Sequence, residues 1–149
     1  MEQDVSIGKY VLIFGLVNLG LLVGLAILFS ILNVESNSGA TIGALVGAGM
    51  AAVSKFIQDN KRIPNPSEKT KLVWLSYFAS WIVSLILVSI FAALSGEGGE
   101  LIEIVKSVNV VILVGVIVFL SVFYVSTLYL TYGYMARKQF EGLQKKRKI

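Results

Sequence analysis

The chain has 149 residues, 56% hydrophobic and 15% charged, with a net charge of +4 and a mean hydropathy of +0.79. Soluble domains carry about 25% charged residues, so a water-soluble protein is excluded, and runs of about 20 apolar residues read as spans through lipid. With no Cys and no His, disulfides, thiolate catalysis, zinc sites and imidazole proton shuttles are excluded too.

The pattern predicts an all-α polytopic membrane protein, one domain with four transmembrane helices in a bundle. Span one, Tyr10 to Leu32, holds no charge and is long enough to cross about 30 Å of hydrocarbon. Glu2 and Asp4 precede its Lys9 and no small-residue cleavage site ends it, so it reads as an uncleaved anchor. Span two, Gly39 to Ile57, contains Lys55 near its end, where the stem can lie along the helix while the ammonium reaches water. A turn is expected from Gln58 to Glu68, since Pro64, Pro66 and the asparagines forbid a continuous helix. Span three, Leu72 to Leu94, opens with Trp74, Tyr77 and Trp81, rings suited to the headgroup boundary. Ser95 to Glu100 is a glycine-rich break, and Leu101 to Ser107 is expected as a short interfacial turn. Span four runs from about Val108 to Tyr132, and the helix can continue through Lys138 into a basic tail, 137–149.

Twelve of the 13 basic residues fall on one side of these spans; the other keeps only Lys106 with Glu35, Glu97, Glu100 and Glu103. Short loops rich in Lys and Arg stay cytoplasmic, which predicts both termini inside and an acidic outer face. The tail places several cations next to the bilayer, each worth about 1 kcal/mol against anionic lipid. Nucleic acid is not an expected partner, because no reading element accompanies the charge.

Small residues form the most specific pattern. Gly39, Gly43, Gly47 and Ala51 recur every fourth residue, with Ala40, Ala44, Ala48 and Ala52 beside them. Together they sweep about 220° of the helix, while Leu45 belongs to the face of larger residues. Because apolar side chains gain little by leaving lipid, helices associate there through close backbone approach. Span two is thus expected centrally or at a subunit interface, and its alternative role is to line a path. Gly20 and Gly24 repeat the spacing in span one, and Ser76, Ser80 and Ser84 put one hydroxyl per turn on a stripe of span three, each able to bond its own i−4 carbonyl.

Asn18 lies about 12 Å into span one, and Tyr124 about 20 Å from Arg137 along span four, too deep for an aromatic belt. Both are expected to point inward, with inter-helix hydrogen bonds. The alternative is a polar path of Asn18, Ser80, Tyr124 and Thr127. No Asp, Glu or Arg lies inside any span, which disfavours ion-coupled transport. No nucleophile with a base, paired carboxylates or phosphate loop is evident, so neither an enzyme nor a cofactor or metal is expected.

In its four spans, charge bias and glycine zipper the chain resembles the small bacterial inner-membrane proteins of unassigned biochemical activity, the group that includes AciT. The resemblance implies an inner-membrane protein supporting envelope integrity and drug tolerance, a homo-oligomer with a trimer as one form, and lipid or other inner-membrane proteins as partners. It brings no functional residues with it.

Overall fold

The computed structural model describes residues 5–33, 38–96 and 98–147. Glu2, Asp4, Glu35, Glu97 and Lys148, which carry part of the charge asymmetry, lie outside the described residues. Among the described residues there are helices and no strand: α1 (Ile7–Leu32), α2 (Ser38–Asn60), α3 (Pro66–Ser95), α4 (Gly98–Ser107), α5 (Val110–Leu130), a π turn (Thr131–Met135) and α6 (Ala136–Arg147). Four helices are long and apolar enough to cross a membrane: α1, α2, α3, and the continuous helix that begins with α5 and runs through the π turn into α6.

Their ends differ from the sequence expectation for local reasons. The break between α2 and α3 shrinks to residues 61–65. Lys61 takes the left-handed conformation, φ 56°, just past the end of α2, and Asn65 starts α3 at once. The Asn65 side chain accepts from the Glu68 amide at 2.8 Å while the Glu68 carboxylate accepts from the Asn65 amide at 2.9 Å. With Pro66 at the first helical position, this capping box stabilises the terminus by about 1 kcal/mol. At the other end of α3, Gly96 in the left-handed conformation, φ 73°, closes the helix. The expected interfacial turn is a ten-residue helix, α4, with Ile102, Ile104 and Val105 exposed beside Glu103 and Lys106. Asn109 caps α5 by accepting from the Val111 amide at 2.8 Å.

The four long helices form a ring. α1 packs on α2 and on α3, α5 packs on α3, and the π turn and α6 close the ring against α2. Both neighbours of α2 use its small residues. A Cβ at Gly47 would sit 3.0 Å from Leu21 of α1, and one at Gly49 would sit 2.8 Å from the Thr131 methyl of the π turn. α2 thus meets α1 at Gly47, on the predicted small-residue face, and the fourth span at Gly49, which lies outside that face.

Packing is uneven along the bundle. The core gathers Tyr10, Phe14, Leu45, Ala48, Ala52, Val53, Phe56, Ile57, Leu72, Val73, Leu128, Tyr132 and Ala136, most of them in the half that holds the α2–α3 loop and α6, here called the basic end. In the opposite half, Ile27, Ile31, Ile86, Ile90, Val114 and Val118 are exposed. Lipid is as apolar as these side chains, so burying them would gain little.

Two placements correct the zipper as read from sequence. Leu45, assigned to the large-residue face, is 1% exposed and belongs to the core. Gly43 is exposed, with nothing within 4 Å of a Cβ placed there, although Ala44 and Leu45 beside it are buried, so Gly43 lies on the outward side of α2.

Candidate functional site

Two polar layers are built into the helices, and a packed layer divides them.

The first layer ties the basic end together. Asp59 is the hub: Lys9 from α1 donates to it at 2.8 Å, Lys55 one turn earlier on α2 pairs with it at 3.0 Å, and the Tyr10 hydroxyl donates at 3.3 Å. Lys55, expected only to reach for water, is therefore an ion-pair partner. Asn60 in turn donates to the Tyr10 hydroxyl and to the Phe56 carbonyl, both at 2.9 Å. These groups lie beyond the apolar run that ends at Ile57. Hydrogen bonds from Lys9 and then Lys55 hold the Asp59 carboxyl down at about 2 and raise the Lys9 ammonium. In the loop, Arg62 grips Glu68 with two hydrogen bonds of 2.6 and 2.7 Å and lies over the Phe56 ring at 5.5 Å. That fork, followed by the Asn65 amide, pulls the Glu68 carboxyl below its usual range. Ser54 donates to Met50 and meets Gln139 at 2.8 Å, joining α2 to α6.

The dividing layer is Ser76 and Tyr132, whose hydroxyls meet at 2.8 Å. Both are buried, as is Thr131 beside them. Thr131 bonds back to the Thr127 carbonyl at 2.9 Å, and it and Tyr132, which reaches Ser76 of α3, are the first two residues of the π turn. Such single-turn widenings are common at functional sites.

The second layer lies deeper, between α3 and α5. Tyr77 and Ser121 share a hydrogen bond of 2.7 Å beside a cavity of about 130 Å³ that Ser80, Ser84 and Tyr124 also line. Ser80 is buried and donates to the Ser76 carbonyl at 2.9 Å, while Ser84 is exposed. Tyr124 is half-buried, and its hydroxyl makes no hydrogen bond with a described residue, contrary to the inter-helix bond expected for it.

Of the four residues expected to form a polar path, Ser80 and Tyr124 share this cavity. Thr127 turns back to the Phe123 carbonyl at 2.9 Å and does not line it. Asn18 is 4% exposed on α1, outside the cavity lining, and its amide bonds to no described residue. Of the expected packing residues, Gly47 serves a contact inside the chain and Ala51 is half-buried, while Gly20, Gly24, Gly39 and Gly43 are exposed.

Sequence reasoning missed Gly49, although Gly47-Ala48-Gly49 held the signal of a two-sided contact. It also missed the Asp59 hub, for which the i, i+4 spacing of Lys55 and Asp59 was the available sign. The Tyr132–Ser76 pair had none, since it depends on the rotation that the π turn introduces.

Among the described residues no group of three or more acidic, His or Cys side chains that could hold a metal is present. Compared with family models, curated proteins and solved structures, the chain matches none of them.

Proposed function

We propose that this membrane protein is a non-enzymatic, homo-oligomeric component of the bacterial inner membrane, with both termini cytoplasmic, which supports envelope integrity and drug tolerance through helix packing. The observation that carries this reading is the division of the glycine zipper. Gly47 is consumed by a contact inside the chain, as is Gly49 beside the zipper, whereas Gly43, like Gly20 and Gly24 on α1, has nothing within 4 Å of a placed Cβ. Small-residue surfaces left open in lipid favour close approach of another helix, and a second copy presents the same surfaces. The resemblance to the AciT group supports the assignment to the envelope, and the 12-to-1 division of basic residues supports the orientation.

The test of the role is a deletion strain scored for dye entry and drug sensitivity. Complementation by the wild type but not by Gly43→Ile, with equal amounts of both proteins in the membrane, is the expected outcome. Equal complementation by both contradicts the packing role. Orientation is read separately from single cysteines at Ser67 and Gly98, which are expected to react with an impermeant thiol reagent from opposite sides.

A second reading, a small uncoupled transporter or channel, is favoured by the deep hydroxyl cavity and by Tyr124, whose hydroxyl bonds to no described residue. Against it stands the buried Ser76–Tyr132 pair, which lies between that cavity and the basic end. Solute flux from liposomes that is lost in Tyr124→Phe would favour this second reading.

A further inference from the structure

A cavity of about 880 Å³ lies at the basic end between the 61–65 loop, the first turn of α3 and the π turn. Its volume falls within the roughly 300–1,000 Å³ typical of small-ligand sites. Arg62, Lys69 and Arg137 line it, and no carboxylate of the described residues does. Arg62 is already neutralised by Glu68. Lys69 and Arg137 have no carboxylate partner among the described residues, so two cations line the cavity without a described counter-charge.

The placement of Lys69 is built by its neighbours. Its ammonium lies 4.1 Å from the centre of the Tyr129 ring, a cation–π contact, and 2.7 Å from where a Cβ at position 133 would be. The ammonium can occupy this place because residue 133, in the middle of the π turn, is glycine. Tyr129 and Thr70, whose hydroxyls are 3.3 Å apart, add polar groups to the wall. Apolar surface begins at the same level: Trp74 one turn beyond Thr70, and Leu130 next to Tyr129, are both exposed. Two unpaired cations at the mouth of an apolar surface match a ligand with an anionic phosphate and hydrocarbon chains.

We infer that the Lys69–Arg137 cavity binds the phosphate headgroup of an anionic phospholipid, with the acyl chains leaving along the exposed faces of α3 and α5. This site does not depend on the proposed envelope role or on oligomerisation.

The test is native mass spectrometry of the full-length protein released from nanodiscs of mixed phosphatidylglycerol and phosphatidylcholine. The wild type is expected to retain phosphatidylglycerol in preference to phosphatidylcholine. Lys69→Gln combined with Arg137→Gln is expected to lower that retention at least tenfold, while Lys138→Gln with Lys145→Gln, which removes the same charge from other exposed positions, leaves it unchanged. Arg137→Gln alone, on the exposed side of α6, keeps the test informative if the double variant loses its helical circular dichroism, and a several-fold loss is expected for it. Unchanged retention in the cavity variants, equal loss in the Lys138 and Lys145 variant, or no preference over phosphatidylcholine overturns the inference. Displacement of the lipid by millimolar inorganic phosphate overturns the lipid assignment in favour of a soluble phosphate compound.

Discussion

The hydroxyl of Tyr132 meets that of Ser76 at 2.8 Å inside the bundle, on the level that separates the basic cavity from the deeper hydroxyl-lined one. A polar pair in the core has a double effect: it joins the fourth span to α3 by a directed contact, and its aromatic ring fills the space between two openings.

The two effects separate by substitution. Tyr132→Phe keeps the ring and loses only the hydrogen bond, which in membranes averages about 0.6 kcal/mol, so a small decrease in thermal stability is expected. Tyr132→Ala also removes the ring and leaves a cavity, with a cost of about 3–5 kcal/mol. A thermal unfolding series in detergent checks the order. Equal losses for the two variants would show that the ring contributes nothing.

The zipper glycines are expected to differ in kind. Gly49→Ile drives a branched side chain into Thr131, and Gly47→Ile into Leu21, overpacking that costs about 1–3 kcal/mol and lowers the unfolding temperature of the single chain. Gly43→Ile meets no atom within the chain and leaves that temperature nearly unchanged. Leu45→Ile, a swap of isomers in the core, is expected to cost less than about 1.5 kcal/mol. Thermal melts under conditions where the protein is monomeric distinguish these, and a Gly43→Ile melt as low as that of Gly49→Ile counts against the open face.

The Asp59 hub gives a pH dependence with a definite sign. Its carboxyl is lowered in the folded state to about 2, against about 3.9 when unfolded. The stabilisation is therefore fully present above pH 4 and is lost as the pH falls through about 2. In Asp59→Asn this acid-side loss is expected to be smaller, as read by helical circular dichroism during an acid titration. Identical titrations of variant and wild type would remove Asp59 from the account. The pair is exposed to solvent, so added salt is expected to weaken it.

How much of this was legible in the sequence follows from the range of the forces involved. Four spans are set by apolar runs that lipid selects directly, and the all-α class follows because every backbone polar group in hydrocarbon must be satisfied within its own segment. The start of α3 was misplaced by six residues because Leu72 marks the beginning of the apolar run, whereas the Asn65–Glu68 box fixes where the backbone begins to coil. The zipper was visible as a period, but which glycines of α2 face a neighbour depends on where the adjoining helices lie around it, and this left Gly43 open and Gly47, with Gly49 outside the period, closed. The cavity around Lys69 was hidden for a similar reason: its cations were visible as loop charges, but their common orientation depends on the π turn and on Gly133.

The central claim is that the open half of the zipper joins copies of this chain. The most direct test is the mass of the protein in detergent, corrected for bound detergent and lipid, for the wild type and for Gly43→Ile. The account predicts a defined oligomer for the wild type and a monomer of unchanged helical content for Gly43→Ile. A monomeric wild type, or an oligomer that survives Gly43→Ile intact, contradicts it.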